Sequence, residues 1–528
     1  MYIQYISRKV NGKVYTSVVL AESYRQNGKM KRRIISTLTN WPQWLTDELQ
    51  KILRGGVVTS LDDLPYRQGK SFGAIYVLHQ IAKRIGLEEA LGKSYEGRLS
   101  LFQIYARLLT QGSRLYAATE WARQQAVSEL LGLENFNEDH LYHNLEWLAD
   151  HQVDIEKSLF QHMDQQAKIV YLYDVTSSYF EGTKNELADY GYNRDGKKGK
   201  MQIVIGLLCN EQGEPVSVEV FKGNTSDMKT VRDQLYKLRE DFGVEKVAFV
   251  GDKGMLKSKQ IEEIKDIQWH YITSLTKPQI RNMLNKGAIQ MALFEDELTE
   301  VTLDEIRYIL RRNPTRAQQM RASRDQRIER VRTKIQQKNA YLAQHPKAKV
   351  SVAIKNIEQE VGKMKLSGCM TITACKDKRE LELSINQQAL EQIQMLDGCY
   401  VIKTDLKKAD ANKQVVHDRY KDLSEVEHAF RTLKTGLEEI RPIYVRKEKR
   451  TRGHVFVCML AYKLIFHIWK YFKDDRPFTR QYILECLDKI NYIEYQFKGG
   501  TIKQLPKILN QDQQIILDRL EIALPGKV

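Results

Sequence analysis

Five apolar runs between residues 168 and 275 constrain this chain more than anything else in it. "KIVYLYDV", "MQIVIGLLC", "PVSVEVFKG", "KVAFVGD" and "WHYITSL" are rich in Val, Ile, Leu, Phe and Tyr and short enough to be strands. The turn "NEQG" at 210–213 suits a hairpin between the second and third, and "SDMKTVRDQLYKLREDFG" puts a helix between the third and fourth. Three strands, a helix, a strand, a helix and a strand predict a mixed α/β sheet covered by helices. Aspartates stand at the C-terminal ends of the first and fourth runs, Asp174 and Asp252.

The rest of the chain reads as additions to that sheet. Residues 1–65 alternate apolar and polar around turn signals such as "RQNGK", which predicts a small β-rich N-terminal module. Over 66–165 apolar residues recur every three to four positions, as in "GAIYVLHQIAKRIGLEEAL", so a helical region is expected. Residues 166–280 and 396–475 carry the sheet domain, "GCYVIKTD" resuming it after an inserted subdomain over 281–395, a basic helical run plus a hairpin. A C-terminal helical region is expected over 476–528. Residues 454–472 approach membrane-span length, but Lys463, His467 and Lys470 would put charge inside a bilayer, so a buried core helix is expected.

Charge narrows the partner. With 83 Lys+Arg against 67 Asp+Glu, the formal net charge is +16, which favours nucleic acid over a membrane surface. Six scattered cysteines without a C-x-x-C pair suggest reduced thiols in a cytosol and no zinc site. The N-terminus lacks an apolar signal core, no P-loop pattern occurs, and Ser177 and Ser178 have no convincing His partner.

If the strands bearing Asp174 and Asp252 are adjacent, their carboxylates meet. Such a pair raises both pKa values unless a cation shares it, and hard oxygen ligands suit Mg²⁺ or Mn²⁺. Two ions about 4 Å apart can activate a hydroxyl on one side of a phosphodiester and stabilise the leaving oxygen on the other. A third acid is available in "YKDLSEVEHAFRTLKTGLEEI", where Tyr420, Glu427, Phe430, Lys434 and Leu437 recur at helical spacing. Each acid alone is more often a turn residue or a solvated side chain; it is their combination that points to phosphoryl transfer.

Basic stretches are candidate DNA contacts. In the loop "NRDGKKGK" these are Arg194, Lys197, Lys198 and Lys200, for which a solubilising loop is an equal reading. In "YVRKEKRTRGH" they are Arg446, Lys447, Lys449, Arg450 and Arg452. The run from Arg307 to Lys338 is also basic and has few acids to pair with. His428 and His454 read as packing residues.

At these residues the chain resembles the DDE transposases of the IS4 superfamily of bacterial insertion sequences, and most closely the IS1634 group. "YLYDVTSSYFEG" and "FVGDKGM" match the strands carrying the family's two aspartates. The helix motif Y-x2-R-x3-E-x6-K falls on Tyr420, Leu423, Glu427 and Lys434, with Leu423 replacing the arginine and Arg431 one turn beyond the glutamate. "YGYNRDGKKGKMQIVIGLL", "FKGNTSD" and "RGHVFVCMLAY" extend the likeness over roughly 160–475.

The resemblance implies a ribonuclease-H-like catalytic domain in which Asp174, Asp252 and Glu427 hold two Mg²⁺ ions, with Mn²⁺ able to substitute. It implies a bacterial, nucleoid-associated enzyme, a homodimer on paired terminal inverted repeats, that releases a 3′-hydroxyl and joins it to double-stranded target DNA. Tyr420, Arg431 and Lys434 would contact DNA, with residues 1–165, including a helical DNA-binding domain over 66–165, and the insertion recognising the ends. Members that excise through a hairpin hold a flipped base on an aromatic residue of the insertion; here the large candidates are Tyr308 and Tyr341. Two rival readings are a same-fold nuclease that cuts without joining and a domesticated binder without chemistry.

Overall fold

A computed structural model describes every residue except 57–63, 111, 164–169, 246, 376–378, 436–439, 442–443, 474, 476, 498–499 and 507. Lys168 and Lys246, the expected starts of two strands, and Leu437 lie outside the described residues. The chain divides into two units: residues 1–71 with 490–510 and 523–528, and residues 72–489 with 511–522.

In the smaller unit, β1 (Tyr2–Val10), β2 (Lys13–Gln26) and β3 (Lys29–Thr37) form an antiparallel meander in that order. Its two turns are Asn11-Gly12 and Asn27-Gly28, with φ of 49°, 79°, 51° and 75°. Two central residues with positive φ make the turn whose twist matches the flanking strands, and Asn-Gly adopts it most cheaply. A helix, Gln43–Leu53, follows, then β4 (Tyr66–Ser71).

The larger unit opens with helices, among them Gly73–Arg84, Tyr95–Leu109, Glu138–Asp150 and Gln152–His162. The five apolar runs then form β5 (Val170–Tyr179), β6 (Gln202–Asn210), β7 (Pro215–Lys222), β8 (Ala248–Gly251) and β9 (His270–Ser274). They lie in the order β7-β6-β5-β8-β9, with β5, β6 and β7 antiparallel and β5, β8 and β9 parallel. This is the ribonuclease-H-like arrangement. Tyr171, Tyr173, Phe249, Tyr271 and Trp269 on or beside these strands, with Val231 and Leu238 from the segment after β7, form a buried core. Each such side chain contributes roughly 1.5–3 kcal/mol by leaving water.

The sheet is wider than those five strands. β10 (Thr299–Leu303) and β11 (Ile306–Arg312) come from the inserted span and join it at the far edge. The helices Pro314–Gln344 and Val350–Lys363, with the hairpin β12 (Met370–Ala374) and β13 (Leu381–Ile385), build a separate core around Val331, Ile357, Leu366 and Ile372. β14 (Cys399–Thr404) returns between β9 and β11, antiparallel to both, giving eight strands.

The segment expected to be a buried helix is one: Glu448–Trp469 is buried over most of its length. Lys463 and His467 turn inward to the carboxylate of Glu214, His467 at 2.9 Å. No helix among the described residues is long and apolar enough to cross a membrane. The C-terminal span departs from the helical expectation, since β15 (Asn491–Phe497) and β16 (Gly500–Gln504) pair with β4 in the order β16-β15-β4. "NYIEYQF" alternates, with Tyr492 and Glu494 buried, which is a strand's period of two and not a helix's.

Candidate active site

Backbone pairing sets the two aspartates side by side. In the parallel pair β5–β8, Val170 to Tyr173 align with Ala248 to Gly251, so the next residue on each chain is Asp174 and Asp252. Adjacent strands lie about 4.8 Å apart, so both carboxylates leave one edge of one sheet. Asp174 does not end its strand, as the sequence led one to expect. β5 runs on to Tyr179 because β6 stays paired with it as far as Tyr179↔Gln202, while β8 stops at Gly251.

The third acid comes from the helix Leu423–Lys434, whose Val426, Ala429, Phe430 and Leu433 are buried. Tyr420 sits on a preceding helix, Lys413–Lys421, separated from it at Asp422. A cavity of about 760 Å³ gathers Asp174, Asp252 and Glu427 together with Tyr420, Arg431, Lys434 and Arg194. Leu423 lines it too, in the place of the family's arginine, and among the described residues Arg431 has no ion-pair partner.

The polar side chains around the cavity hold one another. Tyr420 donates to Ser274 Oγ at 2.7 Å. Lys434 Nζ donates to the Ser177 carbonyl at 2.6 Å and to Asp195 Oδ1 at 2.7 Å, and the other oxygen of Asp195 accepts from the Tyr179 amide at 3.2 Å. Arg194 pairs with Asp227 at 2.6 Å. Asp227, which closes the motif "FKGNTSD" and carries no sign of its own in the sequence, also lines the cavity.

Other basic candidates lie elsewhere. Lys197, Lys198 and Lys200 are exposed on the loop beside Lys434 but do not line the cavity; Lys200 pairs with Glu181 at 2.7 Å and Lys197 stands 5.8 Å from the Tyr179 ring. Lys447 and Arg450 both reach Glu146, at 3.2 and 2.6 Å, Lys449 reaches Asp150, and Arg452 pairs with Glu448 at 2.9 Å. Arg446 lines a second cavity, of about 550 Å³, with Tyr179, Phe180, Arg441 and Tyr444. His454 is buried between Arg114 and the Arg441 carbonyl, each at 3.0 Å, and His428 does not line the acid cavity. Tyr308 lies in β11, and Tyr341 stacks on His345 at 4.1 Å.

Burial lifts Asp174 to about 7; the Val175 amide and Arg194 oppose the rise, while Glu427 and Asp252 add to it. Tyr420 is pushed up to about 12 by burial, against its bond to Ser274 and with the help of the three acids. Among the described residues no three His, Cys, Asp or Glu side chains are gathered tightly enough to hold an ion as they stand. The donor set nevertheless suits a hard divalent cation, since every candidate ligand is a carboxylate, and a bound cation would offset the burial that raises Asp174 together with the smaller repulsion from Glu427 and Asp252.

Comparison with known proteins bears on this site. A family model described as "Transposase DDE domain" matches residues 165–464, and one described as "IS1634 family transposase, N-terminal domain" matches residues 3–56. A search of curated proteins finds no match. Among solved structures, the piggyBac transposase synaptic complex with hairpin DNA, seen by cryo-EM, aligns with TM-score 0.37 and 8% identity over 86% of this chain and 84% of that one.

Proposed function

The chain belongs to the DDE transposases, in the IS1634 group of insertion-sequence enzymes, and from that premise we propose that it cuts DNA at terminal inverted repeats and joins the freed 3′-hydroxyl to target DNA. The observation that carries the proposal is the convergence of Asp174, Asp252 and Glu427 from two neighbouring strands and a helix on one basic-rimmed cavity.

Asp174, Asp252 and Glu427 would hold Mg²⁺ or Mn²⁺, two ions per site. Bound there, the metal would supply an activated water or hydroxyl and charge stabilisation at the leaving oxygen. Arg431 and Arg194, which line the cavity, would meet the phosphates flanking the scissile bond, Arg194 while paired with Asp227. Lys434 fixes the loop around Asp195 against β5, which keeps that rim in place. Tyr420 stays a neutral phenol at physiological pH and orients through Ser274. Both steps are displacements at phosphorus, so one site serves hydrolysis and joining without a covalent enzyme intermediate. Because two ends must be brought together, the working form proposed is a homodimer.

The test is incubation with Mg²⁺ of a plasmid carrying the DNA that flanks the protein's own reading frame, beside the Asp174→Asn protein. Cleavage at the terminal repeats that is lost in the variant supports the proposal. Cleavage without joining to a second duplex would make the protein a nuclease, and binding without cleavage in either metal would remove the chemistry.

A further inference from the structure

We infer that Asp227 is a positioning residue of the cleavage reaction: it holds the Arg194 guanidinium against the acid cavity, where that cation meets the scissile phosphate. The inference rests on the transposase reading for the reaction and on the motifs "YGYNRDG" and "FKGNTSD" for the residues.

The two motifs meet through their backbones, and glycine permits the approach. The Gly223 amide donates to the Leu187 carbonyl at 3.0 Å, and Asp189 pairs with Gln202 at the start of β6. A Cβ on Gly191 would stand 2.1 Å from the Gly223 carbonyl oxygen, and one on Gly223 would stand 1.9 Å from that of Gln202. Neither position takes a side chain. Asn224 closes the junction by donating to Asp189 Oδ2 at 2.7 Å. The turn after β7 thereby delivers Asp227, first residue of the helix Asp227–Tyr236, to the loop that carries Arg194.

Arg194 is fixed at both ends against the strand of Asp174. Its backbone amide donates to Ser177 Oγ at 2.8 Å, and its Nη2 donates to Asp227 Oδ2 at 2.6 Å. Asp227 is tied back to the same strand. Thr230 donates to the Asp227 carbonyl at 2.7 Å, and the Thr230 carbonyl accepts from Tyr173, the neighbour of Asp174, at 3.4 Å. This ring of contacts starts and ends on β5, on either side of Asp174.

The guanidinium keeps donors to offer. Among the described residues Arg194 Nε and Nη1 have no hydrogen-bond partner, so they can meet a phosphate while Nη2 stays on Asp227. An arginine already held loses less rotamer freedom when the phosphate arrives than a free one does. Asp227 is the fourth carboxylate lining the cavity, and its ion pair sets it apart: among the described residues Asp174, Asp252 and Glu427 make none. Three acids are open to a cation, and the fourth is committed to an arginine.

The test follows single-turnover cleavage in Mg²⁺ by the full-length protein of a labelled duplex taken from the DNA flanking the reading frame. Affinity for that duplex is read by fluorescence anisotropy, and affinity for Mn²⁺ by calorimetry. Asp227→Asn keeps the side chain's size and should slow cleavage by about 10- to 100-fold, the equivalent of one hydrogen bond to a charged group, with both affinities unchanged. Arg194→Gln should lose as much or more. The double variant should be no slower than Arg194→Gln alone, since Asp227 acts through that arginine. A wild-type rate in Asp227→Asn, losses that multiply in the double variant, or a loss confined to duplex affinity overturns the inference. A fall in Mn²⁺ affinity overturns it too, by making Asp227 a metal ligand. A wild type that cuts in neither metal ends the transposase reading and this inference with it, whereas a wild type and an Asp227→Asn protein that cut equally well end this inference alone.

Discussion

Lys434 holds Asp195 at 2.7 Å, and through it ties the basic loop at 193–200 to the strand that carries Asp174. The lysine also donates to the Ser177 carbonyl, three residues beyond that aspartate. Its charge is thus spent inside the protein as well as offered to the cavity. Lys434→Gln should slow cleavage by about 10- to 100-fold, the equivalent of one hydrogen bond to a charged group. Asp195→Asn should reproduce part of the loss. Initial rates of plasmid nicking measure both, and a Lys434→Gln enzyme with wild-type rates would remove the loop from the mechanism.

Glu427 lies on a helix held in place by residues other than itself. Glu427→Gln keeps the size and the buried face of Val426, Ala429, Phe430 and Leu433. End binding should persist and cleavage should vanish, read by gel shift and nicking on the same substrate. A variant that still cuts would take Glu427 out of the site.

Asp174 makes stability fall as pH rises. Its folded-state value of about 7 lies above the ordinary aspartate value of 3.8, so folding takes up a proton between the two and the folded form loses stability as pH climbs through that window. Without divalent metal, Asp174→Asn should therefore melt higher than wild type above pH 7, with the gap closing toward pH 4. Thermal melts in chelator across that range check it. A constant offset at all pH values would mean that the carboxyl titrates normally.

Glu214 works with the opposite sign. Burial opposes its ionisation, but Lys463 and His467 outweigh burial and hold its carboxyl well below the usual range. The stability it supplies is present above the ordinary glutamate value of 4.5 and is lost as pH falls below it. Glu214→Ala removes the carboxylate that faces the buried Lys463 and should cost about 3–5 kcal/mol by urea unfolding. Glu214→Ala with Lys463→Met should recover much of that loss; no recovery would place the cost in packing instead.

The core of the sheet was legible because its strands are both apolar and short: all five runs form the expected strands, and the order of strands and helices leads to the observed topology. Glu427 was legible because a helix repeats its face every three to four residues. What escaped were features that depend on a partner distant in sequence. The extension of β5 beyond Asp174 follows from its pairing with β6, which no local pattern in "TSSY" announces. The pairing of Lys447, Lys449 and Arg450 with Glu146 and Asp150 joins segments some three hundred residues apart, so a basic run that reads as free is spent on a neighbouring helix. β15 escaped for a simpler reason: seven residues of alternation were outweighed by helical stretches on either side.

The position of β14 governs when the enzyme can exist. β11 reaches the sheet only through β14, and β10 only through β11, although both precede β14 in the chain. During synthesis the hairpin at 299–312 therefore has no edge to dock on until residue 404 has left the ribosome, and Glu427 emerges later still. A nascent chain carries both aspartates long before it carries Glu427, so the cavity that gathers all three acids cannot form on an unfinished polypeptide.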